Sequence, residues 1–87
     1  MKVKQMINAN GNPAANQFII NDGNKEVFQS YETKICEVEN GKITIDINSM
    51  GYSKTTSKHL YIFLGMTRKE IEKEIKQGKI YVADLNN

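Results

Sequence analysis

Hydrophobic and polar residues alternate along most of the first half of the chain, and a period of two predicts β-strands. The clearest example is residues 42–47, in which Ile43, Ile45 and Ile47 share one face and are expected to be buried. Four more strands are predicted before it, over residues 2–7, 15–21, 26–31 and 34–38. Short connections between successive strands favour an antiparallel meander.

Two dipeptides predict the tightest turns of this meander. Asp22-Gly23 favours a hairpin between the second and third strands. Asn40-Gly41 favours a type I′ turn, which requires positive φ at both central residues. Both dipeptides stand between two predicted strands, so the strands on either side are expected to pair with each other.

After residue 51 the hydrophobic period changes to the value of about 3.6 that indicates an amphipathic helix. Ser53 is predicted to cap a first helix that runs to about residue 64. The face expected to pack on the sheet carries Thr56, Leu60, Phe63 and Leu64, and the opposite face carries Lys54, Lys58 and Tyr61.

A second helix is predicted over residues 68–77, because Thr67 and Glu70 have the spacing of a capping box. Its apolar stripe is narrow and consists of Ile71 and Ile75. The opposite side carries Lys69, Lys73 and Lys76. Gly78 is expected to end this helix, and residues 79–83 are rich in β-forming residues and predict a last strand at a sheet edge.

These elements predict one α+β domain over residues 1–87. Its parts are a β-meander over residues 1–48, a helical pair over residues 53–77 and a C-terminal edge strand over residues 79–83. The sheet is expected to have five to six strands, with both helices packed on one face. Whether the last strand pairs within the chain or in a homodimer is left open.

Charge and composition narrow the class of protein. The net charge is +2, with five lysines against six acids in residues 1–51 and seven basic residues against four acids in residues 52–87. There is no apolar run of the ~20 residues that span a bilayer and no apolar signal segment at the start, so we expect a cytoplasmic protein without membrane contact. The lone cysteine, Cys36, is expected to be a buried apolar residue.

The residues that could carry chemistry are sparse. One histidine and one cysteine do not make a zinc site, and Glu70 and Glu74 are interleaved with lysines as on an ordinary solvated helix face. We therefore predict no catalytic, cofactor-binding or metal-ligating residue and no enzymatic activity. An enzyme built on His59 and Tyr52, with Gln17 or Gln29 lining a pocket, is the alternative from another class.

The outer side of the two helices is the surface most suited to bind a partner. Lysines around a tyrosine suit an acidic protein patch or nucleic-acid phosphates. His59 is expected at the border of this surface with a ring nitrogen in water. The residues predicted to bind a partner are Tyr52, Lys54, Lys58, His59, Tyr61, Lys69, Lys73 and Lys76.

Three segments of the chain carry a resemblance to a family of small uncharacterised proteins encoded by phages, prophages and plasmids of low-GC bacteria. The segments are Ala15-Asn16-Gln17-Phe18, Phe28-Gln29-Ser30-Tyr31 and, above all, the stretch from Tyr52-Ser53-Lys54 through His59-Leu60 to Phe63-Leu64. This chain has Met50-Gly51 where the family usually has an aromatic-acidic pair. The resemblance covers about residues 1–85 and attaches no activity.

What the resemblance implies is a mobile-element accessory protein in a bacterial cytoplasm. We expect it to bind a host or phage protein, and inhibition of a host defence system, as by an anti-CRISPR protein, is one such role. A small nucleic-acid-binding protein that uses the same helix lysines is the alternative. The sequence leaves the roles of Gln17, Gln29 and Tyr31 open.

Overall fold

The computed structural model describes residues 2–8, 10–48 and 54–86 and shows a six-stranded sheet with two helices. The strands follow one another across the sheet in chain order. They are β1 (Lys2–Ile7), β2 (Pro13–Asp22), β3 (Lys25–Ser30), β4 (Thr33–Glu39), β5 (Lys42–Asp46) and β6 (Ile80–Ala83). The helices are α1 (Lys54–Leu64) and α2 (Arg68–Lys76). The predicted α+β fold is confirmed.

The first five strands form the predicted antiparallel meander, and β6 pairs with β5 in the parallel sense. A parallel neighbour requires a crossover connection, which α1 and α2 supply between β5 and β6. The last strand therefore lies at one edge of the sheet, as predicted, and β1 lies at the other.

One buried cluster holds the sheet and both helices together. Phe28, Cys36 and Ile45 contribute to it from the central strands, Leu60 from α1 and Ile71 from α2. The rings of Phe28 and Phe63 lie 5.8 Å apart, which fixes α1 over β3. Because both helices pack into the same cluster, they cover the same face of the sheet.

The predicted end of α1 and the predicted capping box of α2 are confirmed, and α2 ends at Lys76, one residue before the predicted end. Gly65 follows α1 with φ 65°, and the N–H of Met66 donates to the carbonyl of Tyr61, as in a Schellman motif. Thr67 and Glu70 form the capping box of α2, and Gly78 closes that helix with φ 74°. The predicted cap Ser53 lies outside the described residues.

The end of β5 differs from the prediction. The strand stops at Asp46, which is fully buried, and Ile47 is exposed. The reason is that the Asp46 carboxylate accepts hydrogen bonds from the backbone N–H groups of Asn48 and Leu85, at 3.2 and 3.0 Å. The hydrophobic alternation of residues 42–47 thus continues one residue beyond the strand itself.

A β-bulge in β4 places two successive side chains in the core. Phe28 pairs with Cys36, whereas the next residue, Gln29, pairs with Lys34, so Ile35 is the extra residue. Ile35 and Cys36 are both buried. The predicted burial of Cys36 is confirmed, and the bulge adds a neighbour that simple alternation would place on the opposite face.

The residues after β6 bond to the end of β5 and the start of β4. Leu85 bonds to Asp46 at the end of β5, and the side chain of Asn86 makes two hydrogen bonds with the backbone of Lys34 in β4, at 2.8 and 3.1 Å. The tail therefore runs inward from β6 towards the middle strands. No helix in the described part of the chain is long and apolar enough to span a membrane.

Candidate interaction surface

Five of the residues predicted to bind a partner form an exposed set on the two helices, here called the helix lysine surface. They are Lys54, Lys58, Lys69, Lys73 and Lys76. Across residues 2–8, 10–48 and 54–86 the ion pairs are Lys25–Glu37 and Arg68–Glu72, so none of the five lysines is held by a carboxylate. Their charges are therefore available to a partner.

Three of these lysines share a shallow depression along α2. It is lined by Lys69, Glu72, Lys73, Lys76 and Gln77. Its one carboxylate, that of Glu72, is already engaged by the Arg68 guanidinium at 3.0 Å. The local field of the depression is therefore positive, which favours negatively charged groups of a partner.

His59 and Tyr61 occupy different positions from those expected. His59 is only 4% exposed and its Nε2 atom is enclosed, so the side chain is not an outward contact at the border of the surface. Tyr61 is half-buried and packs against the core cluster. The helix spacing indicates that His59 is on the buried face of α1, because it lies three residues after Thr56 and four before Phe63. Tyr52 lies outside the described residues.

Four buried polar side chains are here called the buried polar cluster. Gln17 and Ser30 belong to β2 and β3, and Thr56 and His59 belong to α1. The hydroxyl oxygens of Ser30 and Thr56 are 3.1 Å apart and hydrogen-bonded. Gln17 is the cross-strand partner of Ser30, so its side chain is on the same face of the sheet. The Oε1 atom of Gln17 is enclosed and accepts no hydrogen bond from the described residues.

Two residues with positive φ stand at the same end of the sheet, Asn16 within β2 and Tyr31 in the turn between β3 and β4. Asn16 and Tyr31 both have positive φ, 62° and 55°, and the N–H of Tyr31 donates to the carbonyl of Asn16 at 2.7 Å. The side-chain amide of Gln29 donates to the carbonyl of Tyr31 at 2.9 Å. The Tyr31 ring is 63% exposed. Thus Gln17 fills a buried position, Gln29 braces the turn and Tyr31 is displayed.

The three segments on which the resemblance rests converge at this place. Gln17 and Phe18 of the first segment pair with Ser30 and Gln29 of the second, and Ser30 bonds to Thr56 of the third. A family model described as a family of unknown function, DUF8033, matches residues 1–81. The chain belongs to this family. Comparison with curated proteins and with solved structures finds no match.

Two observations bear on nucleophilic groups and metal binding in this DUF8033 chain. Burial, and secondarily the nearby charge of Glu37, raises the pKa of Cys36 to about 12, so its thiol is protonated at neutral pH and is a poor nucleophile. The described residues contain no group of three or more His, Cys, Asp or Glu side chains that could hold a metal ion.

Proposed function

We propose that the protein is a non-enzymatic binding protein of a bacterial mobile element, which docks on a host or phage protein through the helix lysine surface. The observation that carries the proposal is the set of five exposed lysines, unpaired within the described residues, on two helices that share one core. Helices anchored in this way present their charges in a fixed arrangement, which lowers the ordering cost of binding.

The proposed partner surface is an acidic patch of a protein. On α2 the basic residues are interleaved with Glu70, Glu72 and Glu74, and a mainly acidic protein patch can place a few basic groups opposite these carboxylates. Duplex nucleic acid presents only negative charges along its backbone. A net charge of +2 gives this protein little general attraction to such a backbone.

The proposed role is inhibition of a bacterial defence system by occupying a surface of that machinery. It is supported by the scarcity of groups suited to catalysis among the described residues and by the resemblance to small proteins of phages and plasmids. Such a protein would work in the cytoplasm of the bacterial host, where defence nucleases of the kind blocked by anti-CRISPR proteins act.

A capture experiment tests the proposed surface. The purified protein, immobilised, should retain a protein partner from bacterial lysate in a fixed ratio. The double variant Lys58→Glu/Lys73→Glu should lose most of that partner. Lys2→Glu/Lys4→Glu changes the net charge equally on exposed lysines of β1 and should retain it. Equal loss in both double variants, or no loss in either, would contradict the proposal.

Nucleic-acid binding is the second candidate, and the lysine-lined depression on α2 is the observation that favours it. If the three lysines there contact phosphates of duplex DNA, the log of the association constant should fall with log salt concentration with a slope of about −0.9 per phosphate, or near −3 in total. Filter binding over a range of salt concentrations measures this slope. DNA whose gel mobility is unchanged by the protein at low salt would reject this candidate.

A further inference from the structure

The turn between β3 and β4 carries a side chain that its backbone does not favour. Ser30 pairs with Thr33, so the turn consists of Tyr31 and Glu32, and of these two only Tyr31 has a positive φ, at 55°. Glycine, asparagine and aspartate adopt this conformation most readily, whereas a bulky side chain adopts it at a cost in free energy. The local backbone therefore gives no reason for a tyrosine here.

Packing within the chain gives no reason either. Tyr31 is 63% exposed and belongs neither to the hydrophobic core nor to the residues packed against it. Among the described residues its ring makes no aromatic contact and no cation–π contact. Backbone strain of this kind is concentrated at functional sites, so an exposed ring held at a strained position points to contact with another molecule.

Hydrogen bonds hold the turn from several sides. The N–H of Tyr31 donates to the carbonyl of Asn16 at 2.7 Å, and the side-chain amide of Gln29 donates to the carbonyl of Tyr31 at 2.9 Å. Just after the turn, the backbone of Lys34 makes two hydrogen bonds with the side chain of Asn86. The Tyr31 ring therefore projects from a fixed point with only two side-chain torsions left free, which keeps the ordering cost of binding low.

The ring lies near the lysines at the start of α1, which belong to the helix lysine surface. Ser30, which precedes Tyr31, has its hydroxyl oxygen 3.1 Å from that of Thr56 in the first turn of α1. Thr56 stands between the exposed residues Lys54 and Lys58. By the lengths of these links, the Cα atom of Tyr31 is within about 17 Å of the Cα atoms of both lysines. One side of a standard protein interface, of roughly 800 Å², is broad enough to include all three residues.

We propose that Tyr31 is the aromatic anchor of the interface with an acidic protein partner. The ring would enter an apolar pocket of the partner, and Lys54 and Lys58 would pair with carboxylates around that pocket. This arrangement rests on the proposed function and names the contact at its centre, since binding hot spots are enriched in tyrosine and are surrounded by weaker contacts that exclude water. α1 contains no acidic residue, so its two lysines suit a patch of negative charge.

The residue after Tyr31 favours a protein over a nucleic acid as the partner. Glu32 is exposed and follows Tyr31 in the same turn. A base that stacked on the Tyr31 ring would bring its phosphate backbone, which is negative throughout, near this carboxylate. A protein surface can place a basic or hydrogen-bonding group there instead.

Urea unfolding tests, without any partner, whether the ring serves the fold. Tyr31→Asn should raise the unfolding midpoint, because asparagine adopts the positive φ more readily than tyrosine. A lower midpoint would mean that the ring stabilises the chain, and this result would overturn the proposal.

Binding is measured with the protein that the capture experiment retains from bacterial lysate, after purification of that protein. Tyr31→Asn should weaken its affinity by at least about tenfold, whereas Tyr31→Phe should keep it within about threefold, because the ring fills the pocket. Tyr81→Asn is the matched control at an exposed tyrosine of the edge strand β6 and should leave the affinity unchanged. Equal loss with Tyr31→Asn and Tyr81→Asn, or equal loss with Tyr31→Asn and Tyr31→Phe, would overturn the proposal.

Further outcomes separate this proposal from the proposed function. A retained protein that Lys58→Glu/Lys73→Glu releases but Tyr31→Asn does not would overturn the anchor alone. A lysate from which no protein is retained would overturn both proposals. Oligothymidine of about 20 nucleotides is the second probe, and binding at low salt that Tyr31→Asn weakens would assign the ring to base stacking and overturn the choice of a protein partner.

Discussion

Removal of the Phe28 ring should release α1 from the sheet. Phe28 is fully buried in the core, and its ring lies 5.8 Å from that of Phe63 on α1. A buried Phe→Ala substitution costs about 3–5 kcal/mol. A chain of 87 residues has a net stability of only about 4–13 kcal/mol, at roughly 0.05–0.15 kcal/mol per residue. Phe28→Ala should therefore remove between about a quarter and all of this stability.

Graded substitutions make the effect measurable when Phe28→Ala does not fold. Phe28→Leu keeps most of the volume and should cost less than about 1.5 kcal/mol. Phe63 is half-buried, so Phe63→Ala should cost about 1–3 kcal/mol. A cycle of Phe28→Leu, Phe63→Ala and the double variant should show a coupling of about 0.5–1.5 kcal/mol, as for a contacting aromatic pair.

Urea unfolding followed by far-ultraviolet circular dichroism measures these differences in stability. The free energy of unfolding of each variant is its midpoint urea concentration multiplied by a slope common to all variants. All samples should have one low protein concentration, because association between copies would add to the apparent stability. Ile62→Ala is the control on α1, since Ile62 is exposed and its loss should change stability by less than about 0.5 kcal/mol. A Phe63→Ala variant as stable as Ile62→Ala would refute the reasoning.

Four further predictions concern single positions. The pKa of the Cys36 thiol rises from 9.0 to about 12 on folding, so its contribution to stability should be complete below pH 9 and lost as the pH rises towards 12. Between these values the free energy of unfolding of Cys36→Ala should fall less steeply with pH than that of the unsubstituted protein. Parallel pH profiles of the two proteins would contradict this. Thr67→Ala should lower stability by about 1 kcal/mol through loss of the α2 cap. Hydrogen bonds from Thr67 lower the pKa of Glu70, so the capping box should weaken as the pH falls through that pKa, and Glu70→Gln should abolish this dependence in an acid titration of helix content. Tyr31→Asn should raise the unfolding midpoint by an amount equivalent to about 0.5–1 kcal/mol, because asparagine tolerates the positive φ better than tyrosine; a lower midpoint would show that the Tyr31 ring makes a stabilising contact.

Local features of this protein could be predicted from its sequence because they depend on bonds between near neighbours. The Asn40-Gly41 turn needs two residues that tolerate positive φ. Both residues have positive φ in the structure, 52° and 81°. The capping box of Thr67 and Glu70 closes over three residues. The exposure of Lys58 and Lys73 likewise follows from the period of each helix.

Tertiary structure alone decided which polar residues became part of the interior. Asp46 is buried because its partner Leu85 arrives from 39 residues away, and Ser30 meets Thr56 from 26 residues away. The parallel pairing of β6 likewise depends on where two helices return the chain. Local periodicity describes one face of one element, whereas burial of a polar side chain depends on a hydrogen-bonding group brought to it by another element.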